Sequence, residues 1–287
     1  MKKIVSTFSC VAVLASSSLF GQVTTDPVGY VSKSLSAGGY TLGPTFVKSA
    51  TFQGPVIGVN SDWIDVGTAL TLDEPHYLMP LSGVSDGYAV TIVEVNGTQV
   101  RLEQTLSIAE GDTVAIHPHF LIKDLGEDLP NGFAVALYNS DGSVTEASYQ
   151  DNFLGKGWIG EAETPVFPGE GFVVNSPAAF ELLFSGSVNT KTVKYSLSGG
   201  VTNIVAGLAP MSQTALLLED LAPGTGIADY AQGGNFNNPT EISRGPAFLG
   251  GNWSGDLSTV EIGSGFATVV VPSENSIVDL PTQLSSN

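Results

Sequence analysis

Tyr88-Ala89-Val90-Thr91-Ile92-Val93-Glu94-Val95-Asn96-Gly97-Thr98-Gln99-Val100-Arg101-Leu102 is the stretch that decides the fold class. Tyr88, Val90 and Ile92 alternate with Ala89, Thr91 and Val93, so successive side chains fall on opposite faces of a strand. Asn96-Gly97 supplies two residues that tolerate positive φ, and Val100 and Leu102 resume the alternation. Asn-Gly between two alternating runs predicts a β-hairpin. Asp141-Gly142, between Leu137 and Val144, predicts a second.

The same grammar extends outward. Gly, Pro, Asn, Asp and Ser break the chain about every eight to twelve residues, with short Val-, Ile-, Tyr- and Phe-rich runs between them. Helix is limited to one or two turns within Leu121–Asp128 and Ala215–Leu221, where Leu121, Ile122 and Leu125, and Leu217, Leu218 and Leu221, share a face. No segment is long enough for the helix of a parallel crossover, which excludes a Rossmann or α/β-barrel fold. The expectation is an all-β chain with few short helices.

Short motifs recur in the same order. Ser34-Leu35-Ser36-Ala37-Gly38-Gly39 returns as Ser196-Leu197-Ser198-Gly199-Gly200. Leu121-Ile122-Lys123-Asp124-Leu125 returns as Leu217-Leu218-Glu219-Asp220-Leu221. Tyr138 matches Tyr230 and Trp158 matches Trp253. Gly169-Glu170-Gly171-Phe172 matches Gly263-Ser264-Gly265-Phe266. The expectation is two homologous sandwich-like modules, 22–192 and 193–287. The first interval between motifs is much longer, so the first module carries an inserted small β subdomain at about 51–116. The Gly-x-Gly-Phe element reads as a tight turn before a core strand. No Lys and no long helix follow it, as a phosphate loop requires.

The chain of 287 residues is 42% hydrophobic and only 13% charged, which permits a large core. It has 10 basic and 28 acidic residues and a net charge of −18. That balance argues against nucleic acid and against anionic membranes, both of which need clustered Lys and Arg. Residues 1–21 have the layout of a secretory signal peptide: Lys2 and Lys3, an uncharged apolar run from Ile4 to Phe20, then Gly21 before Gln22. Cys10 lies inside the apolar run rather than at its end, which argues against lipidation. Cleavage would leave no cysteine, so the fold relies on its core. No later stretch is long and apolar enough to form a transmembrane helix. The expected location is exported: extracellular, cell surface or periplasm.

Thr25-Asp26-Pro27-Val28-Gly29-Tyr30, Gly111-Asp112 with Ile116-His117-Pro118-His119-Phe120, and Trp158 with Pro168-Gly169-Glu170-Gly171-Phe172 resemble an uncharacterised family of exported bacterial proteins of the planctomycete and verrucomicrobial group. The resemblance spans most of the chain in scattered motifs and implies export and a β-rich fold, but no activity. The family pattern has Trp after the second His, where this chain has Phe120.

His117 and His119, two apart, point to one face of a strand and with a carboxylate could hold a metal. Pro118 between them equally suits a strand exit with the rings satisfied locally. Asp141, with Asn139 and Ser143 around a glycine turn, could collect Ca²⁺ oxygens, but no spaced acidic loop surrounds it. Trp63 falls outside the repeat and is the candidate for an exposed ligand-stacking ring. No Gly-x-Ser-x-Gly elbow is present, and no pair of carboxylates is singled out for glycoside hydrolysis. The expected function is therefore a non-catalytic surface, envelope or matrix protein without a required cofactor. The alternative is a glycan-binding module, calcium-assisted or not, and the third reading is a carboxylate-dependent hydrolase. Glycans and other surface proteins are the expected partners.

Overall fold

The computed structural model describes residues 27–153, 155–230 and 239–282. The leader-like segment 1–21, with Cys10, and Thr25-Asp26 lie outside the described residues. Among the described residues the chain is almost wholly β, and no helix is long and apolar enough to cross a membrane.

The strands are β1 (Val28–Leu35) and β2 (Gly38–Leu42), then β3 (Phe52–Pro55), β4 (Gly58–Asn60), β5 (Trp63–Asp65), β6 (His76–Pro80), β7 (Val90–Asn96), β8 (Gln99–Leu102) and β9 (Thr113–Pro118). Next come β10 (Phe120–Leu121), β11 (Phe133–Tyr138), β12 (Val144–Asn152), β13 (Gly155–Gly160), β14 (Pro165–Val166), β15 (Phe172–Ser176) and β16 (Phe180–Ser187). The last set is β17 (Val193–Leu197), β18 (Asn203–Ala206), β19 (Gln213–Thr214), β20 (Gly226–Asp229), β21 (Thr240–Ser243), β22 (Glu261–Ile262), β23 (Ala267–Val271) and β24 (Ser276–Leu280). Short 3₁₀ turns, including Ile122–Leu125 and Ala215–Leu218, supply the helix among the described residues.

Strands β3 to β9 form a curled sheet in the order β3-β9-β6-β7-β8-β5-β4. Val56, Ile64, Leu78, Val100, Val114 and Ile116 are buried within it as a core of their own. The Asn-Gly hairpin is there, one residue out of step with its expected turn. Asn96 pairs with Gln99, so Gly97 and Thr98 are the central turn residues. Gly97 takes φ 63 while Asn96 and Thr98 do not have positive φ, which suits a turn with glycine first.

The strands on either side of this sheet pair in matching order. In the N-terminal unit β1 pairs with β16, β10 with β14, and the main sheet runs β13-β12-β11-β15-β2. In the C-terminal unit β17 pairs with β24, β19 with β22, and the main sheet runs β21-β20-β23-β18. Tyr149 pairs with Trp158 across β12 and β13, and Arg244 bridges Trp253 at the matching edge. Each tryptophan also ties its strand to the 3₁₀ turn. Trp158 Nε1 donates to the Gly126 carbonyl at 3.2 Å, and Trp253 Nε1 donates to the Glu219 carbonyl at 3.1 Å. Gly126 and Glu219 are the C-caps of the two turns, so each indole satisfies a carbonyl the turn leaves open.

Pairing order also sets the residue correspondence. Leu121 and Thr214 each precede the 3₁₀ turn, and Ile122 and Leu125 correspond to Ala215 and Leu218, all four buried. The sequence match of Leu121 to Leu217 is three residues out of register, because leucines near a helical spacing match again after one turn. Gly169, at φ 88, corresponds to Gly265, at φ 89, rather than to Gly263. A two-residue slip in a strand preserves which face each side chain takes, so the text match survives it.

The units meet reciprocally. Leu42 bridges Phe266, and Glu170 bridges Val205. The Gly43 N–H donates to the Gly265 carbonyl at 3.2 Å, and the Ala206 N–H donates to the Gly169 carbonyl at 2.8 Å. Each glycine turn therefore lies on the other unit's second strand. A Cβ at Gly171 would stand 2.6 Å from Ile204 Cγ2 and 2.7 Å from Ala267 Cβ, so only glycine permits this approach. Tyr77 and Met79 of β6 are buried in the C-terminal core with Leu197, Val205 and Leu280, which docks the curled sheet as well.

Candidate functional site

All three β units contribute to a cleft of about 700 Å³. Tyr88 comes from the curled sheet, Tyr138 from the end of β11 and Tyr195 from β17. Backbone contacts set this meeting. The Lys194 N–H donates to the Gly87 carbonyl at 2.9 Å, and Tyr88 bridges Lys194. Lys194 Nζ lies 5.2 Å from the centre of the Tyr88 ring, within cation–π range. Tyr138 packs on Ile204, Ala206 and Ala267 of the C-terminal unit. All three tyrosines are half-buried residues that line the cleft.

Glu170 and Glu103 line the same space, with Gln104, Thr91 and Ser196. Glu170 sits in the Pro-Gly-Glu-Gly turn, where its Oε2 accepts from the Phe167 N–H at 2.9 Å. The residue is half-buried as a whole, and protein surrounds its carboxyl. Burial pushes the Glu170 carboxyl up to about 7, against a smaller opposing pull from the Phe167 N–H. Burial raises the Tyr195 phenol, and the charge of Glu170 raises it further. The cleft thus offers aromatic faces, neutral hydrogen-bonding groups and a carboxyl that exchanges its proton near neutrality. Asn139 and Asn203 also border it but are committed elsewhere. Asn139 Nδ2 donates to Ser143 Oγ at 2.8 Å and Thr145 Oγ1 at 3.0 Å. Asn203 Nδ2 donates to the Ser198 carbonyl at 3.0 Å and the Val201 carbonyl at 2.9 Å.

The sequence-derived candidates lie elsewhere. His117 is the penultimate residue of β9 and His119 follows Pro118, and both rings pack on Tyr77, with centroids 5.4 and 5.0 Å away. His117 Nδ1 lies 2.8 Å from the Lys48 carbonyl. His119 is fully buried between Tyr77 and Phe167, with the Val166 backbone beside its ring. Burial lowers its pKa to about 4, and the nearby His76 and Lys48 add to the shift. Asp141 closes its own hairpin, accepting from the Ser143 N–H at 2.8 Å. Among the described residues no three His, Cys, Asp or Glu side chains gather as a metal group. Trp63 is half-buried on β5, with the Arg101 guanidinium 6.0 Å from its ring. It is not among the cleft residues.

Glu170 and Tyr195 were not singled out by sequence reasoning. A lone acid between two glycines, followed by Phe172, Val173 and Val174, was the available signal, because an acid in an apolar run must find an unusual setting. Tyr195 carried none. No protein-family model, curated protein or solved structure matches this chain.

Proposed function

We propose that this is an exported, non-catalytic surface or matrix protein that binds neutral polyhydroxylated ligands, glycan chains above all, in the three-unit cleft. One observation carries the reading: Tyr88, Tyr138 and Tyr195, one from each unit, converge beside Glu103, Gln104 and Thr91. Aromatic faces stack against the C–H faces of sugars, while nearby amide, hydroxyl and carboxyl groups take the hydroxyls. The net charge of −18 favours neutral over anionic polysaccharides. Export rests on the leader-like 1–21 segment and on the family resemblance. Duplication of one ancestral β unit, with the curled sheet inserted in the first copy, is the origin we infer for the matching strand orders.

A glycan array followed by calorimetry tests the reading. Binding of neutral glycans, weakened about tenfold or more by Tyr88→Ala, is the expected result. Absence of binding to any neutral glycan overturns it. The position of Glu170 and Glu103 in one cleft, with Glu170 near neutrality, favours a carboxylate-dependent hydrolase as the second reading. Release of reducing ends from a bound glycan, lost in Glu170→Gln, would establish that reading instead.

A further inference from the structure

The three-unit cleft holds more acid than base. Glu103 and Glu170 line it, and Lys194 is the single basic residue among its lining residues. Neither carboxylate makes an ion pair among the described residues. Glu170 Oε2 accepts from the Phe167 N–H at 2.9 Å, and its Oε1 has no hydrogen-bond partner among the described residues. A carboxylate enclosed by protein and short of a partner is stabilised more by a cationic donor than by a neutral one.

The backbone fixes this acid in place. The Gly171 N–H donates to the Ile204 carbonyl at 2.8 Å, and the Ala206 N–H donates to the Gly169 carbonyl at 2.8 Å, so the turn is held on both sides of Glu170. A Cβ at Gly169 would stand 3.5 Å from Tyr195 Cβ, which places Tyr195 directly beside the turn. The charge of Glu170 acts on the Tyr195 phenol. A ring and a carboxyl thus adjoin at the cleft, and both attract positive charge.

The chain's own ammonium groups show what such rings accept. Lys194 Nζ lies over the Tyr88 ring, 5.2 Å from its centre. At the matching junction of the other unit Lys33 Nζ stands 4.2 Å from the centre of the Phe266 ring. Tyr138 and Tyr195 have no Lys or Arg over them among the described residues. The backbone bridge between Tyr88 and Lys194 keeps that lysine at its own ring. The Glu170 side of the cleft therefore has a carboxyl and a ring but no ammonium.

Resting on the glycan reading of the cleft, we propose that the sugar unit seated beside Glu170 carries a free amine in place of one hydroxyl, on an otherwise neutral chain. Its ammonium pairs with the Glu170 carboxylate and lies against the Tyr195 ring, and exposed Glu103 adds negative charge to the same cleft. An N-acetylated unit loses this contact, because acylation removes the charge and the cationic donor. A plain hydroxyl in the same position can hydrogen-bond but carries no charge for the carboxylate or the ring.

Calorimetry at neutral pH with three disaccharides tests the assignment: cellobiose, diacetylated chitobiose and mono-deacetylated chitobiose. The form with the single amine should bind about tenfold or more tighter than either neutral form. Glu170→Gln, whose side-chain oxygen can still accept from the Phe167 N–H, should erase that ratio. Removing one charge from a net −18 leaves the general attraction for cations nearly intact, so a lost ratio reports this site. Lys194→Gln should act in the opposite direction and raise the amine's affinity, by removing a like charge and freeing the Tyr88 face. Circular dichroism and melting temperature verify that both variants fold, and Lys194→Gln keeps the test open where Glu170→Gln does not. Neutral disaccharides bound as tightly as the amine overturn the amine assignment and leave the glycan reading standing. Absence of binding both here and across the glycan array overturns the glycan reading, and the amine assignment with it. A ratio that survives Glu170→Gln, an amine affinity that falls in Lys194→Gln, or a Gly-Lys-Gly peptide bound as tightly as the amino sugar overturns the amine assignment too.

Discussion

The two units share a strand pattern and fill it differently. In the N-terminal unit Phe133 meets Trp158 and Phe180 edge-on, and Tyr149 meets Trp158, at centroid distances of 6.4, 5.1 and 5.7 Å. At the matching positions of the C-terminal unit stand Thr225, Trp253, Ser276 and Arg244. Only the tryptophan is common. The Tyr149 hydroxyl donates to the Glu127 carbonyl, and the Arg244 guanidinium donates to the Leu221 carbonyl, each in the loop after the 3₁₀ turn. An arginine stem and head thus reach where a tyrosine reached. An open surface cleft of about 780 Å³ lies beside Arg244 and Ser276 in the C-terminal unit. The backbone ladder and the indole-to-cap bond are therefore the common requirements, and the aromatic packing is one of several ways to meet them.

The reciprocal junction shows the same divergence. On one side Glu170 lies against Val205 and acts on Tyr195. On the other Phe266 lies against Leu42, with Lys33 Nζ 4.2 Å from its ring centre. The β1-β16 and β17-β24 ladders place Lys33 and Tyr195 at corresponding positions. One side of the junction pairs a carboxyl with a phenol, and the other pairs an aromatic face with an ammonium.

The difference in packing should appear most strongly in stability. Phe133→Ala should cost about 3–5 kcal/mol, because the ring is fully buried among aromatics. Thr225→Ala, at the matching position, should cost about 1 kcal/mol through its bond to the Ala222 carbonyl at 2.7 Å. Urea midpoints read both, and equal losses would break the contrast. Gly171→Ala should cost about 1–3 kcal/mol by forcing apart Ile204 and Ala267. A variant as stable as wild type would show that the glycine approach is not tight. Trp158→Phe and Trp253→Phe each remove one hydrogen bond to a cap carbonyl, at about 1 kcal/mol from that bond. The bond term should be alike in the two units, and a loss in one unit alone would end the claim of a shared clamp.

A further contrast is in pH dependence. Glu170 keeps its proton to about 7 in the fold, against an ordinary value of 4.5. Its contribution is complete below about 4.5 and is lost as pH rises to about 7. His119 runs the other way. Its folded value near 4 against an ordinary 6.5 gives stability that is complete above 6.5 and is lost as pH falls to about 4. Denaturant midpoints across this range should decline less with rising pH in Glu170→Gln than in wild type. Parallel profiles would remove Glu170 as a titrating group in this window.

Much of the architecture was legible because it is local. Alternation from Tyr88 to Leu102, interrupted by Gly97, specifies a hairpin within fifteen residues, and tertiary packing moved its turn by only one position. The repeated tryptophan was legible as a letter, although its role as a bond to a helix cap was not. The site was not legible. Tyr88, Tyr138, Glu170 and Tyr195 are far apart in the chain and ordinary in their local settings.

The sequence alone determined the all-β class and the places where the chain turns, since steric limits on φ and the two-residue period of a strand act between neighbours. The tertiary structure decided which acid loses its water and which rings meet. Desolvation and cleft shape arise only when distant strands pack, and no spacing between letters encodes them.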